Sequence, residues 1–192
     1  LLEWWKTNQT RVIVATVILV TVGIIYQIWA WNKQQLELKA SRALDKAANQ
    51  EQLASVFNTY PGTQAAARAM IVWADGLYVS GQFAQAADAY KKFLVEYPDS
   101  PFLASSAQYG YGICLQEQGK LDEAIQTYRL LQQNYPGQFH TWLGQLAMAE
   151  CYEQKADIPA ARKIYGQIVG AHAPDAIARQ AQLAARRLGE ER

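Results

Sequence analysis

The chain begins with a hydrophobic segment that differs from everything after it. Residues 12–32 read VIVATVILVTVGIIYQIWAWN and carry no charged side chain. At about 1.5 Å per residue, a helix of this length spans roughly 30 Å, the thickness of a bilayer hydrocarbon core. Trp4 and Trp5 precede the segment and Trp29 and Trp31 end it, where headgroup layers favour amphipathic rings. The pattern predicts one transmembrane helix that contacts the lipid bilayer through residues 12–32.

Two other interpretations of this segment fit less well. The segment is longer than the apolar part of a usual signal peptide, and no small-x-small cleavage site follows it. A buried helix of a soluble protein would need partners that cover an apolar surface on all sides, and the remaining chain offers none of equal length. We therefore expect a retained membrane anchor.

The orientation of the anchor is not decided by its flanking charges. Lys6 and Arg11 precede the segment, and four further basic residues follow it between positions 33 and 46. The first residue is Leu rather than Met, so we expect further sequence before it. A short tail before a single anchor commonly stays in the cytoplasm, and this predicts a single-pass protein whose C-terminal domain is exported.

Beyond the anchor, apolar residues follow a helical period within units that repeat. The stretch GQFAQAADAY recurs 38 residues later as GKLDEAIQTY, and a weaker copy starts at residue 156. A Tyr-Pro pair closes successive units, at Pro61, Pro98 and Pro136. Such repetition predicts an all-α solenoid of stacked helix pairs, with small residues at helix crossings and tyrosines in the next layer. The equivalent positions are Gly81, Gly119 and Ala156; Phe83, Leu121 and Ile158; Ala86, Ala124 and Ala161; Tyr90, Tyr128 and Tyr165.

Glycine and proline punctuation sets the expected element boundaries. We expect the anchor helix to continue to about residue 47, with Ser100 as the cap and Pro101 as the first residue of one later helix. The other helices are predicted at 51–58, 64–79, 83–96, 101–118, 121–134, 141–154, 158–169 and 175–188. The predicted domains are residues 1–32 (anchor and flank), 33–62 (helical extension and degenerate repeat), 63–172 (three repeats) and 173–192 (polar-faced capping helix).

Charge excludes one class of partner. The chain has 18 Lys/Arg and 17 Asp/Glu; Lys6, Arg11 and Glu3 precede the hydrophobic segment, which leaves 16 of each sign after it. A neutral domain without a basic stripe lacks the electrostatic term on which nucleic-acid binding depends. We therefore expect protein partners and no nucleic acid.

The sequence shows no motif that carries chemistry. No phosphate loop, dinucleotide fingerprint or nucleophile elbow is present, and the glycines on either side of Tyr111 fit helix crossings. His140 and His172 lie near predicted turns, which favours exposed or capping roles. Cys114 and Cys151 occupy equivalent positions about 8–10 Å apart in neighbouring helices, too far for a disulfide. We expect both cysteines to be small buried residues and the protein to have no enzymatic activity, no metal and no cofactor.

The repeat resembles the tetratricopeptide repeat, whose usual period is about 34 residues. The resemblance implies that the first helix of each pair lines a concave groove that binds a partner. It also implies that no carboxylate clamp is present, because Ile71, Asp75 and Tyr78 stand at the clamp positions. The groove positions are Arg68, Ile71, Asp75, Tyr78, Tyr109, Ile113, Gln116, Glu117, Leu146, Glu150, Glu153 and Gln154. A mixed aromatic and acidic lining predicts a partner segment with apolar anchors and some positive charge, although the aromatic residues could equally pack between repeats.

The anchor ending in Trp29-Ala30-Trp31, the Ala40-Ser41-Arg42 extension and the short repeat array resemble the bacterial YfgM-like proteins. Members of that family are inner-membrane proteins whose exported repeat domains associate with the secretion channel and periplasmic chaperones. The resemblance implies a tethered adaptor or chaperone partner for newly exported polypeptides. The alternative is a structural accessory subunit of a respiratory or envelope complex in the inner membrane, whose fixed partners would cover the repeat faces.

Overall fold

The computed structural model describes residues 2–171 and 173–190, with side chains described from residue 8 to residue 189 within those ranges. The described chain is helical and contains no strand, which confirms the all-α prediction. Its helices are α1 (Leu2–Lys46), α2 (Gln50–Thr59), α3 (Gln64–Val79), α4 (Phe83–Glu96), α5 (Pro101–Glu117), α6 (Leu121–Asn134), α7 (Phe139–Gln154), α8 (Ile158–Gly170) and α9 (Asp175–Glu190).

The first helix is 45 residues long and continues without a break past the hydrophobic segment. Its apolar window has a mean hydropathy of 2.3, and none of the window is buried against the rest of the chain. The hydroxyls of Thr16 and Thr21 donate to the carbonyls of Val12 and Ile18, each at 2.8 Å, so both polar groups are satisfied within the helix. By length and composition, α1 can therefore cross a membrane.

The second half of α1 is part of the folded domain. Ala40 is fully buried, and the helix packs against both α2 and α3. The carboxylate of Glu37 accepts hydrogen bonds from the backbone amides of Gln64 at 2.9 Å and Ala65 at 3.0 Å. These amides belong to the first turn of α3, where backbone N–H groups lack partners within the helix and where the helix dipole favours a negative charge. Glu37 therefore joins α1 to the repeats.

The turns within the helix pairs confirm the repeat alignment. Gly81, Gly119 and Ala156 all have positive φ, at 76°, 72° and 58°. In each turn the following amide bonds five residues back at 2.9 Å, for example from Gln82 to the carbonyl of Leu77. This geometry ends a helix through a left-handed residue, a position that glycine occupies without strain and alanine occupies at a small cost.

The helix crossings are close, as the alanine positions predict. Ala86, Ala124 and Ala161 are each 0% exposed. The equivalent tyrosines of the second helices are buried as well, with Tyr128 at 1% exposure. After the last pair, Ile177, Ala181 and Leu188 of α9 are buried against α7 and α8, while other residues of α9 are exposed.

Helices α2 to α9 differ from their predicted bounds by at most two residues at either end. Helix α7 begins at Phe139, two residues before the predicted start, after a Gln138 cap in extended conformation whose side chain makes no capping bond. Pro101 begins α5 as predicted, but the side chain of Ser100 also makes no capping bond. Neither cap is stabilised by its side chain, so Pro101 rather than a capping bond marks the start of α5, and no such signal marks the start of α7.

Candidate protein-binding groove

The first helices of the pairs form the inner layer of the solenoid. Within the described residues, α3 contacts α5 and α5 contacts α7, whereas α4, α6 and α8 do not contact one another. Neighbouring pairs are therefore closer on the side of α3, α5 and α7, and this side is concave. The residues predicted to line a groove belong to these three helices.

Two glycines on α5 allow the inner and outer helix layers to approach each other closely. A Cβ atom on Gly110 would lie 2.5 Å from Cζ of Tyr90, and one on Gly112 would lie 2.3 Å from Cε1 of Tyr128. Both distances are far below ordinary contact, so the tyrosine rings occupy the space that the glycines leave open. The prediction that these glycines lie at helix crossings is confirmed.

The buried tyrosines reach the inner surface through their hydroxyl groups. Tyr128 donates to the Gln116 amide oxygen at 3.2 Å, and Tyr165 donates to a Glu153 carboxylate oxygen at 2.6 Å. In the first pair the position equivalent to Gln116 and Glu153 is held by Tyr78, and the Tyr90 hydroxyl donates to Asp75 one turn earlier at 2.5 Å. The pKa values of Tyr90 and Tyr165 are raised, mainly because the hydroxyls are buried and secondly because their acceptors are acidic. The hydroxyls remain protonated donors that fix Asp75 and Glu153 in place.

A cavity of about 330 Å³ opens in the middle of the inner surface, and we name it the central pocket. The pocket is lined by aromatic and apolar side chains and by one carboxylate. Tyr109 is half-buried and lies 6.3 Å from the ring centroids of both Tyr128 and His140. Burial, with the negative charge of Glu150 second, raises the pKa of Tyr109 to about 12, so its hydroxyl is neutral. The lining residues are Asp75, Tyr78, Tyr90, Ser106, Tyr109, Gly110, Ile113, His140 and Leu143.

Sequence reasoning did not place His140 in this pocket. Its Nδ1 atom lies 3.1 Å from the Ser105 hydroxyl, and its ring contacts Phe102 at a centroid distance of 5.3 Å. Burial lowers the pKa of His140 below 6.5, partly opposed by the charge of Asp75. A half-buried neutral imidazole thus adds a polar ring to the pocket wall. Only its place in the first turn of α7 could have suggested this, because that turn faces the start of α5.

A second cavity of about 520 Å³, the terminal pocket, lies between α7 and α9. Glu153 bonds to Tyr165, as above, and forms an ion pair with Arg187 of α9. The pKa of Glu150 is raised, mainly by burial and secondly by the nearby charge of Glu153, while the charge of Arg187 partly opposes the shift. The lining residues are Glu150, Glu153, Gln154, Tyr165, Gln180, Leu183, Ala184 and Arg187. Glu153 is therefore engaged by the protein itself.

The predicted groove residues divide between these pockets and other surroundings. Asp75, Tyr78, Tyr109 and Ile113 line the central pocket, and Glu150, Glu153 and Gln154 line the terminal pocket.

The other predicted positions are not gathered in either pocket. Ile71 and Leu146 are only 7% and 4% exposed and belong to the core rather than to an open lining. Exposed Arg68 lies in a separate cleft beside Phe102, exposed Glu117 lines neither pocket, and Gln116 accepts the Tyr128 bond.

The remaining groups to consider are potential metal ligands and the two cysteine thiols. No group of three or more potential metal ligands occurs within residues 2–171 and 173–190. Cys114 and Cys151 are free and fully buried, as predicted, and burial raises the pKa of each thiol to about 12. Both thiols are therefore protonated and inert at neutral pH. His172 lies outside the described residues.

Comparisons with known proteins agree with this architecture. The tetratricopeptide repeat family profile matches residues 71–139, from the middle of α3 to the first residue of α7, which span most of the first predicted repeat and the whole of the second. Together with the helix-pair fold, the match supports a tetratricopeptide-repeat protein that binds other proteins. A comparison with curated proteins gives no match.

Solved structures similar to this chain include the following two. A Podosopora anserina protein, described as kinesin light chain nearly identical TPR-like repeats, is 14% identical with a TM-score of 0.54; the match covers 82% of this chain and 90% of that one. This similarity shows the fold. BtubC (BKLC) from P. vanneervenii is 18% identical with a TM-score of 0.48 over 72% of this chain, which spans only 56% of that protein.

Proposed function

We propose that this protein is a membrane-tethered tetratricopeptide-repeat scaffold in the bacterial inner membrane. In this proposal α1 crosses the membrane once, and the repeats stand in the periplasm as a chaperone-like partner of the secretion channel. The long apolar helix and the repeat match support the general role, and the similarity of the anchor and its extension to YfgM-like proteins supports the particular one.

The observation that carries the proposal is the central pocket. Ile113 and Leu143 give it an apolar wall, Tyr78 and Tyr109 give it rigid aromatic surface, and Asp75 gives it negative charge. Aromatic side chains in a half-buried pocket are typical anchors of protein interfaces. The pocket therefore suits an apolar side chain of an extended or helical segment that also carries a positive charge, as segments of unfolded exported chains often do.

The accessory-subunit alternative is favoured by a different surface. Val95 on α4 is 76% exposed and Leu130 on α6 is 48% exposed, both in the outer layer. A permanent partner would cover such side chains and leave the central pocket unused. Binding at the inner surface and binding at the outer surface therefore distinguish the two functions.

Site-specific photocrosslinking in the intact membrane tests this distinction. A photoreactive amino acid is placed at Ile113 in the central pocket or at Val95 in the outer layer. Many crosslinked export clients at position 113, together with chaperones, and few products at position 95 support the scaffold. A single stoichiometric product at position 95, which also co-purifies in detergent, supports the subunit. Absence of any product at position 113 contradicts the groove assignment.

A further inference from the structure

A cleft of about 610 Å³ separates α1 from the repeats at the end of the hydrophobic segment. Trp29, Lys33 and Glu37 of α1 line one side of the cleft. The other side is formed by the turn between α2 and α3 and by residues 97–100 between α4 and α5. Because the uncharged segment ends at residue 32, the cleft begins where a spanning α1 would enter the headgroup layer.

The directions of the helices fix which end of the repeats is near the membrane. Glu37 bonds to the start of α3, and the side-chain amide of Gln50, just after α1, lies against Gly76 near the end of α3. Helix α3 therefore runs in the same direction as α1, away from residues 12–32. Val79 at its far end lies roughly 22 Å beyond its start. The turns that line the cleft are thus the membrane-proximal edge of the domain.

The cleft is lined by both positively and negatively charged side chains. The Lys33 ammonium lies 5.3 Å from the centroid of the Trp29 ring, which holds it at the cleft wall. Asp99 is exposed on the opposite wall. Glu37 is already engaged by the amides of α3, and Glu96 pairs with Lys92 at 3.6 Å. Lys33 and Asp99 therefore remain as the cation and the anion that face a molecule entering the cleft.

We propose that this cleft binds the headgroup of a zwitterionic phospholipid, with the phosphate at Lys33 and the ammonium at Asp99. The Trp29 ring adds an aromatic face, which favours both the headgroup layer and an ammonium group. Residues 97–100 then lie within the headgroup layer, so the repeats rest on the membrane that α1 crosses. This inference rests on the proposed insertion of α1 and is independent of what the central pocket binds.

The position of the edge is tested with the full chain in nanodiscs that contain a phosphatidylcholine with a nitroxide headgroup. A fluorophore is attached at Pro98→Cys in the cleft, or at Val79→Cys, an exposed site (83%) at the far end of α3. The native cysteines do not interfere, because both are fully buried. We expect the label at residue 98 to be quenched several times more strongly than the label at residue 79. Equal quenching overturns the proposal.

A third label separates failure of the cleft from failure of the anchor. Leu19→Cys lies within the hydrophobic segment, and an acyl-chain nitroxide should quench its label strongly. If residue 19 is quenched but residues 98 and 79 are quenched equally, the anchor stands and the cleft proposal is wrong. If residue 19 is not quenched, the membrane insertion fails and the cleft proposal fails with it.

The recognition chemistry is tested by native mass spectrometry after purification from bilayers of phosphatidylethanolamine and phosphatidylglycerol. The parent protein should retain phosphatidylethanolamine, and Lys33→Gln and Asp99→Asn should each lose most of it. Lys39→Gln, an exposed lysine of α1 outside the cleft, is the matched control and should retain the parent amount. Equal retention by all variants, or preference for phosphatidylglycerol, overturns the assignment of the headgroup.

Discussion

The central and terminal pockets lie on the same inner surface and contain similar residue types, yet their side chains are used differently. In the terminal pocket, Glu153 bonds to the Tyr165 hydroxyl and to Arg187 of α9. In the central pocket, Asp75 accepts one tyrosine hydroxyl, while Tyr109 and Ile113 remain partly open. Helix α9 thus engages Glu153, one of the acidic residues that the sequence suggested for a partner.

This difference shows that residue type and register do not by themselves identify a binding surface. An acidic side chain on the inner face is more available to a partner when its charge is not neutralised by a cation of its own protein. Asp75 in the middle of the array accepts one neutral tyrosine hydroxyl, whereas Glu153 at the end accepts a hydroxyl and also forms an ion pair with Arg187. The following experiments test the assignment of binding to the central pocket and of structure to the terminal pocket, and the packing between the inner and outer helix layers.

The largest expected effect is on binding. Tyr109→Ala removes an aromatic wall of the central pocket and should weaken capture of the partner by at least about 2 kcal/mol, or about thirtyfold in Kd. Leu183→Ala is the matched control, because Leu183 is 66% exposed and lines the terminal pocket. Crosslinking yield at position 113 measures both, with circular dichroism to confirm folding. A larger loss for Leu183→Ala would reverse the assignment of the two pockets.

The next effect is on the packing between the layers. Gly112→Ala would place a Cβ 2.3 Å from the Tyr128 ring, which is buried and cannot move freely. Such overpacking costs about 1–3 kcal/mol, and the better helix propensity of alanine offsets about 1 kcal/mol. Urea denaturation should therefore show a lower midpoint.

Gly166→Ala serves as the control for the packing experiment. It lies in α8 with nothing within 4 Å of the added Cβ, and it should be neutral or stabilising. Equal midpoints for both variants would mean that the tyrosine layer adapts and that the close approach at Gly112 is not required.

A smaller effect is expected for the structural role of the terminal pocket. Glu153→Ala removes the acceptor of the Tyr165 hydroxyl and should lower the free energy of unfolding by about 1–2 kcal/mol. The ion pair with Arg187 contributes less than about 1 kcal/mol, because the arginine is exposed. Gln154→Ala, at the exposed neighbouring position, should change stability by less than about 0.5 kcal/mol. A neutral Glu153→Ala that abolishes partner binding would show that this acid belongs to the groove after all.

The smallest effects are in the pH dependence, where the two pockets should have opposite signs. The pKa of His140 is lowered in the folded state, so the unfolded chain binds more protons and stability falls as pH decreases through about 6.5. The pKa of Glu150 is raised, so the folded chain binds more protons and stability rises as pH decreases from the raised pKa towards 4.5.

Urea denaturation between about pH 4 and pH 8 measures both contributions. Relative to the parent, His140→Gln should lose the first slope and Glu150→Gln should lose the second. Identical pH profiles for the parent and both variants would contradict the unequal environments of these groups.

Much of the fold follows from local signals in the sequence. The helices at 64–79, 83–96 and 121–134 have the predicted bounds, because glycine turns and Tyr-Pro pairs mark their ends. The buried alanines at the crossings follow from the repeat register. The start of α7 was predicted two residues late, since its cap has no side-chain bond to reveal it.

The candidate site is less predictable because it depends on contacts between distant helices. The register placed Ile71 and Leu146 on the inner face but could not show that neighbouring helices cover them. The contact of Glu153 with Arg187 joins residues 34 positions apart, and the contact of Glu37 with α3 joins residues 27 and 28 positions apart. His140 enters the central pocket because the starts of α5 and α7 lie side by side.

The unbroken course of α1 into the repeats has a mechanical consequence. A flexible linker would let a tethered domain take many orientations above the membrane. Helix α1 is continuous and is bonded to α3 through Glu37, so no flexible joint separates the hydrophobic segment from the repeats. In the proposed topology the concave face is held at a constant height and turns only when α1 itself rotates in the bilayer. A chain emerging nearby would therefore meet a docking surface with a fixed approach angle.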